Sequence, residues 1–136
     1  MSKLSATCLK GRVHVWDLRT SNVKEPYTEW TGNVEKSNHT IWGGRFLHQN
    51  KDVLVTLSGS GSVALWKYNY CETAHNKTNK DNVRGKSGKL ENIQDFQVSE
   101  QPISGFDWSP DKLGLAVSTA FDQKVRLLAF TQLNKL

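Results

Sequence analysis

The residues best suited to metal or nucleotide chemistry lie between positions 71 and 87. Cys71 and His75 have the spacing of a metal-binding pair, but no second pair of ligands follows them. The triplet Gly-Lys-Ser at 85–87 is similar to the end of a phosphate-binding loop, yet Lys80 stands where that loop requires glycine. We therefore expect neither a metal ion nor another cofactor.

The histidines and acidic residues do not form a catalytic set. His14 falls inside a strand-like stretch, and His39 and His48 flank another, with no serine or cysteine in a nucleophile context nearby. Asp107 fits strand alternation, and Asp111 belongs to a Pro-Asp turn. Because an enzyme needs convergent reactive groups, the sequence predicts a non-catalytic protein.

Composition and charge are those of a globular chain with one basic stretch. The 136 residues are 37% hydrophobic, carry a net charge of +5 and include five Trp, five Phe and three Tyr, which favours a strand-rich interior. Much of the positive charge lies at 76–89 and belongs to Lys77, Lys80, Arg84, Lys86 and Lys89. No aromatic residue alternates with these side chains, so RNA binding would be weak and salt-dependent. We expect no specific nucleic-acid partner.

The sequence has few features that would direct it to a membrane or out of the cell. No apolar run approaches the ~20 residues that cross a bilayer, and the opening MSKLSATCLK has no apolar signal segment. Cys8 and Cys71 do not form a disulfide framework. We expect a cytoplasmic location and no membrane partner.

An internal repeat organises the chain. A shift of 62 residues aligns 41–66 with 103–128 without a gap, and matching apolar residues coincide: Val55 with Val117, Val63 with Val125 and Leu65 with Leu127. A shift of 50 residues aligns a third segment: Gly11 with Gly61, Val13 with Val63 and Trp16 with Trp66. Three copies of one unit are therefore present, the first of them incomplete.

Each unit consists of short strand-like runs separated by turn signals. The second unit reads TIWGGRF, VLVTLS and SVALWK, and the segment GSGS at 59–62 marks a reversal. In the first unit, alternation sends Val13 and Val15 to one side and His14 and Trp16 to the other, and neither side is plainly hydrophilic. A small antiparallel sheet that must be covered on both sides is typical of a propeller blade.

The repeats resemble those of the WD-repeat family over nearly the whole chain, apart from about residues 72–92. Trp16 and Asp17 form the family's dipeptide, and Trp66 ends the equivalent run in the second unit. The resemblance implies structural roles for three further residues: Thr56 and Ser118, which coincide in the repeat, and Asp122 in a turn. The hydrogen-bonded set typical of the family is incomplete in every copy.

The resemblance implies an all-β fold, a fragment of about two and a half blades of a seven-bladed WD-repeat β-propeller. Residues 1–31 would end one blade, 40–98 would form a complete blade with a flexible insertion at about 72–92, and 103–136 would form the last blade without its closing strand. Blade faces at both ends would be open to water, so we expect a poorly soluble or self-associating chain.

A narrower resemblance links the chain to the C-terminal part of the WD-repeat proteins that are axonemal dynein assembly factors. It rests on the segments HVWDLRT, LWKYNY, QPISGFDWSPDK and FDQKVR and on the ending LNKL. It implies a cochaperone-type adaptor in the cytoplasmic preassembly of axonemal dynein arms. The implied partners are a RuvB-like ATPase, a prefoldin-like cochaperone complex and axonemal dynein subunits.

The family resemblance also implies where partners would bind. WD-repeat propellers hold peptides on a narrow face built from the starts of first strands and from loops between second and third strands, which here are Trp42, Gly59, Ser104 and Phe121. Trp42 and Phe121 either anchor an interface or pack between blades. Two alternatives stay open: another WD-repeat scaffold, and a substrate receptor of a cullin ubiquitin ligase that contacts the ligase adaptor through Arg19.

Overall fold

The structure of the chain is a computed structural model that describes residues 3–18, 28–31, 40–70 and 88–136. Within these ranges it contains ten β-strands and one turn of 3-10 helix. The strands are β1 (Lys3–Thr7), β2 (Arg12–Asp17), β3 (Thr28–Thr31), β4 (Ile41–Phe46), β5 (Val53–Ser58), β6 (Ser62–Asn69), β7 (Lys89–Gln97), β8 (Ile103–Trp108), β9 (Leu115–Ala120) and β10 (Val125–Ala129), and the helical turn is Leu133–Lys135. The predicted all-β class is confirmed.

The strands form three antiparallel sheets, one for each repeat unit. The first sheet has the order β1-β2-β3, the second β4-β5-β6-β7 and the third β10-β9-β8. Every pairing joins strands that follow one another in the chain, so each sheet is a meander. We call the three sheets the first, second and third blade.

The first and second blades pack face to face. Val13 and Val15 of β2 share a buried cluster with Leu54, Trp66 and Tyr68 of the second blade. Both valines are completely buried, as expected for the side of β2 that alternation assigns to them. The contact is a continuous apolar interface between two sheets.

The opposite side of the second blade packs against the third. Val55, Val63 and Leu65 share a second cluster with Ile103 and Phe106. Five successive residues of β5 are consequently buried. The high aliphatic content of VLVTLS is therefore explained, because a strand covered on both faces has no side that must be polar.

Strand β7 begins within the range in which the sequence predicts an insertion. Residues 71–87 lie outside the described part of the chain, but β7 begins at Lys89, whereas the expected insertion extended to about residue 92. Leu90 pairs with Tyr68 and packs against the cluster that contains Trp66. Most other side chains of β7 are exposed, which explains why its sequence resembles a loop.

Lys3 connects the first and second blades. Its buried ammonium group donates hydrogen bonds to Asp52 Oδ1 and to the Tyr70 hydroxyl, and it lies 4.8 and 4.5 Å from the ring centres of Tyr68 and Tyr70. The Tyr70 hydroxyl donates to Asp52 Oδ1 at 2.7 Å. Burial is the largest single influence and lowers the pKa of Lys3, but the hydrogen bonds and charges of Asp52 and Tyr70 together outweigh it and raise the pKa above its ordinary value.

Two equivalent turns require glycine. The backbone at Gly11 and Gly61 has φ of +69° and +84°, a region that residues with a Cβ seldom adopt. At Gly61 a Cβ would also lie 2.0 Å from the Ser99 carbonyl oxygen. The Gly61 carbonyl oxygen accepts bonds from the N–H groups of Val98 and Ser99, both at 3.0 Å. The turn therefore holds the connection between the second and third blades.

Candidate partner-binding face

The first strands of the second and third blades carry a bulge at the same repeat position. The pairing of β4 with β5 shifts at Trp42, and the pairing of β8 with β9 shifts at Ser104. These two residues are separated by the repeat distance of 62 residues. A β-bulge changes the direction of a side chain, and both side chains are exposed.

Backbone hydrogen bonds hold the turns that follow β5 and β9 next to these bulges. The Gly59 N–H donates to the Thr40 carbonyl oxygen at 2.8 Å, and the Phe121 N–H donates to the Pro102 carbonyl oxygen at 3.0 Å. The two hydrogen bonds are equivalent under the 62-residue shift. Each turn is therefore held against the chain that enters the first strand of its own blade.

Trp42 and Phe121 are in contact across the boundary between the second and third blades. Their ring centres are 5.2 Å apart and their planes meet at 76°, an edge-to-face arrangement that aromatic pairs favour. The indole lies over Gly59, where a Cβ would come within 3.0 Å of Trp42 Nε1. Trp42 is nevertheless 46% exposed and Phe121 57% exposed, so the pair is presented to solvent.

An open cleft of about 660 Å³ lies between Trp42 and the first blade. One side consists of residues 7–9 and the other of residues 40–42. The Thr40 hydroxyl donates to the Leu9 carbonyl oxygen at 3.2 Å and joins the two sides. The cleft is thus supported by a hydrogen bond between blades, and an indole forms part of its wall.

Leu9 belongs to this surface although its residue type alone does not single it out. It is 79% exposed and lines the cleft with Trp42. The 50-residue shift aligns Leu9 with Gly59, and the 62-residue shift aligns Gly59 with Phe121. That double equivalence is the signal that identifies Leu9. We call Leu9, Trp42 and Phe121 the turn-side patch.

The turn-side patch has the properties of an interface anchor. Large aromatic groups beside a cleft supply much of the binding energy at protein interfaces, because they bury a large apolar area with few rotatable bonds. Ser104 is a polar residue on the same face, and its hydroxyl group is bonded within its own blade. It donates a hydrogen bond to the Thr119 carbonyl oxygen at 3.3 Å and lies 3.2 Å from Thr119 Oγ1. The arrangement can hold an apolar side chain of a partner.

Asp122 fixes the turn that carries Phe121. Its carboxylate accepts hydrogen bonds from the Arg126 guanidinium, from Ser99 Oγ at 2.9 Å and from the Lys124 N–H at 3.1 Å. The Arg126 guanidinium is the main reason that the pKa of Asp122 lies well below its ordinary value. Asp122 therefore joins the β9–β10 turn to the connection between the second and third blades.

The remaining repeat positions lie inside or at the edge of the blades. Trp66 Nε1 donates to Thr56 Oγ1 at 2.8 Å, and both residues are buried. Ser118, which aligns with Thr56 in the repeat, is buried in the third blade. In the first blade Asp17 is buried and Trp16 is partly exposed. The Trp66–Thr56 contact is thus part of the interior of the second blade.

Several residues of interest in the sequence lie outside the described residues: Arg19, Cys71, His75, Lys77, Lys80, Arg84 and positions 85–87. Lys89 is the first residue of β7. Within the described ranges, His, Cys, Asp and Glu side chains do not cluster in threes that could hold a metal ion. Nor does that part of the chain contain a helix long and apolar enough to cross a membrane.

Comparison with known proteins identifies relatives in sequence and a neighbour in structure. No protein-family model matches the chain. Over 136 residues it is 46% identical to dynein axonemal assembly factor 10 of Xenopus tropicalis, 41% identical to that of Homo sapiens and 37% identical to that of Chlamydomonas reinhardtii. The C-terminal WD40 domain of Sif2 superposes with a TM-score of 0.63 at 11% identity, covering 95% of this chain and 31% of that chain. The superposition shows that the chain has the WD40 fold.

The matches with dynein axonemal assembly factor 10 cover the whole of this chain but only 37 to 38% of those proteins. The chain therefore spans little more than a third of the length of these relatives. The resemblance to axonemal dynein assembly factors is confirmed, and so is the WD-repeat fold of the three blades.

Proposed function

We propose that this chain is part of a non-catalytic protein-interaction scaffold for the cytoplasmic assembly of axonemal dyneins. The observation that carries the proposal is the exposed Trp42–Phe121 pair beside a cleft, on a chain similar throughout to dynein axonemal assembly factors. Fold alone does not determine function, so the surface and the relatives are both needed.

The binding surface we propose is the turn-side patch. Leu9, Trp42 and Phe121 come from three different blades, yet Trp42 shares a cleft with Leu9 and a ring contact with Phe121. The hydrogen bonds of Thr40 and Asp122 hold the surrounding turns before a partner arrives. A preorganised apolar surface loses little conformational entropy on binding.

The partners we propose are axonemal dynein subunits together with a RuvB-like ATPase and a prefoldin-like cochaperone complex, which the chain would serve as an adaptor. Support for the dynein subunits comes from the name that the relatives share. Support for the two cochaperone partners comes from the resemblance in the sequence. The proposed scaffold has no catalytic step of its own.

Affinity capture from ciliated cells tests the proposal. The tagged 136-residue chain would be expressed and its bound proteins identified by mass spectrometry. We expect axonemal dynein subunits and RuvB-like ATPases to be captured. Capture of a cullin ligase adaptor instead, with loss of that adaptor on Arg19→Ala, would overturn the dynein assembly function in favour of a ligase receptor.

A further inference from the structure

Three equivalent turns form the end of the blades that carries the turn-side patch. The N–H groups of Gly11, Gly61 and Gln123 donate to the carbonyl oxygens three residues before them, at 3.2, 3.1 and 3.2 Å. All three residues have a positive φ, and the shifts of 50 and 62 residues place them on one another. The second residues of the three turns are Leu9, Gly59 and Phe121. The middle turn therefore has no side chain where its neighbours carry large apolar ones.

Trp42 fills the space that Gly59 leaves open. Its indole lies over Gly59, lines the cleft with Leu9 and contacts the ring of Phe121. The result is an apolar surface that crosses both blade boundaries within the chain. This surface does not depend on the outer sheet faces of the first and third blades.

The oxygen acceptors of these turns already have donors. The Asp122 carboxylate accepts hydrogen bonds from three neighbouring residues of its own surroundings. In the middle turn, the Ser60 hydroxyl is bonded to the hydroxyl groups of Ser58 and Ser62, at 2.8 and 3.0 Å. A partner therefore gains little by donating hydrogen bonds to these groups, because each new bond would replace an existing one.

Three donors beside the patch have no partner among the residues that the structure describes. The ammonium groups of Lys10 and Lys124 make no hydrogen bond or ion pair within those ranges, and both side chains are exposed. The Trp42 indole N–H, which can donate but not accept, likewise has no acceptor there. Lys10 follows Leu9 in the first turn, and Lys124 ends the turn that carries Phe121. The apolar surface is thus accompanied by groups that need acceptors from a partner.

The charges of the turns have the same sense. Asp122 and Arg126 form an ion pair, so their charges cancel. Among the described residues of these turns and of the connections beside them, the other acidic side chain is Glu100, between β7 and β8. One negative charge therefore accompanies the two positive charges of Lys10 and Lys124. An anionic partner is favoured over a cationic one, because complementary charge speeds encounter and like charge disfavours it.

We propose that the turn-side patch binds an acidic peptide segment of a protein partner. A large apolar side chain of the segment enters the cleft beside Trp42, and flanking carboxylates meet Lys10 and Lys124. An oxygen of the segment accepts the indole N–H. The inference rests on the proposed scaffold function and adds to it the chemistry by which the patch recognises a partner. A basic segment is rejected, since it would place like charges next to the two lysines.

Selection from a library of random peptides displayed on phage tests the proposal. Peptides would be selected on the immobilised 136-residue chain and depleted on the double variant Trp42→Ala and Phe121→Ala, so that the retained peptides are those that need the patch. We expect the retained peptides to carry a large apolar residue with aspartate or glutamate close to it. Neutral or basic neighbours in the retained peptides would overturn the proposal, and so would a selection that retains no peptide.

Charge reversal tests the two lysines. Binding of the most strongly retained peptide would be measured by fluorescence anisotropy at about 0.1 M ionic strength. Lys10→Glu and Lys124→Glu should each weaken binding at least about threefold, and together at least about tenfold, because a carboxylate then meets the acidic segment. Replacement of both lysines by arginine should retain binding, since the positive charges are kept.

Lys112→Glu is the matched control. It makes the same change at an exposed lysine in the turn between β8 and β9, at the opposite end of the third blade from Phe121. This variant should bind the peptide within about twofold of the parent chain, because distant exposed charges are screened by salt. Circular dichroism should show unchanged strand content in all the lysine variants, since the three side chains are exposed. Equal effects of charge reversal at the three lysines would overturn the proposal.

The capture experiment in ciliated cells has a separate outcome. Capture of dynein subunits together with retained peptides that are not acidic would support the scaffold function and overturn the acidic segment. Retention of acidic peptides without capture of dynein subunits would support the binding chemistry and contradict the proposed partners.

Discussion

Replacing Thr56 by Val tests whether the Trp66–Thr56 hydrogen bond stabilises the second blade. Thr56 lies in the middle of β5, and its hydroxyl oxygen accepts a 2.8 Å hydrogen bond from the Trp66 indole. Valine retains the branched shape and the strand preference of threonine, so the change mainly removes the acceptor.

The magnitude follows from burial. Trp66 is 2% exposed and Thr56 is 3% exposed, so water cannot readily replace the lost acceptor. Leaving a buried donor without its partner costs about 1–3 kcal/mol. We therefore expect Thr56→Val to lower the free energy of unfolding by about 1–3 kcal/mol. Combining it with Trp66→Phe, which removes the donor, should reveal a coupling energy of about 0.5–1.5 kcal/mol.

Urea unfolding at one fixed protein concentration is the assay, because association would otherwise change the apparent stability. Ser118→Ala is the matched control in the third blade, where Leu128 stands at the position of Trp66 and has no donor to lose. The control should cost less than Thr56→Val. A loss below about 0.5 kcal/mol for Thr56→Val, or a coupling energy of zero in the double variant, would refute the reasoning.

Four further substitutions test other contacts, and Gly59→Ala among them is the control for Gly61→Ala. Lys3→Met should destabilise the chain by about 1–3 kcal/mol near pH 7. Because the pKa of Lys3 is raised in the folded chain, its stabilising contribution is present below the unfolded pKa of about 10.4 and is lost as pH rises through the folded pKa. Calorimetry at a series of pH values should show this loss. Gly61→Ala should cost more than about 2 kcal/mol in urea unfolding, because its backbone has a positive φ and its Cβ would lie 2.0 Å from a backbone oxygen. Gly59→Ala should cost much less, because the nearest atom to its Cβ would be Trp42 Nε1 at 3.0 Å. Asp122→Asn should make the stability of the chain less sensitive to acid. Because the pKa of Asp122 is lowered in the folded chain, its stabilisation is present above about pH 3.8 and is lost as pH falls through the folded pKa. The circular dichroism signal of the variant should therefore change less than that of the parent chain as pH falls below about 3.8.

The blades could be predicted because their signal is repeated. Val13, Val63 and Val125 occupy one position in three aligned strands, and alternation within each strand assigns the neighbouring residues to a face. The start of β7 was harder to locate, since this outer strand is largely exposed and its polar residues resemble those of a loop.

The candidate binding face could be predicted only in part. Trp42, Gly59, Ser104 and Phe121 followed from the family resemblance, but the contact of Trp42 with Phe121 depends on how two blades stack. The bulges depend on strand register, which a single strand does not encode. The bond between Lys3 and Asp52 joins residues far apart in the chain, for which local patterns carry no signal.

The most direct test of the central claim is the amount of axonemal dynein captured by the chain when the turn-side patch is altered. The double variant Trp42→Ala and Phe121→Ala would be compared with Leu113→Ala by quantitative mass spectrometry, at matched expression and with unfolding curves recorded for both. We predict that dynein subunits fall at least about tenfold for the double variant and stay unchanged for the control. Equal capture by the double variant and the control would contradict the account.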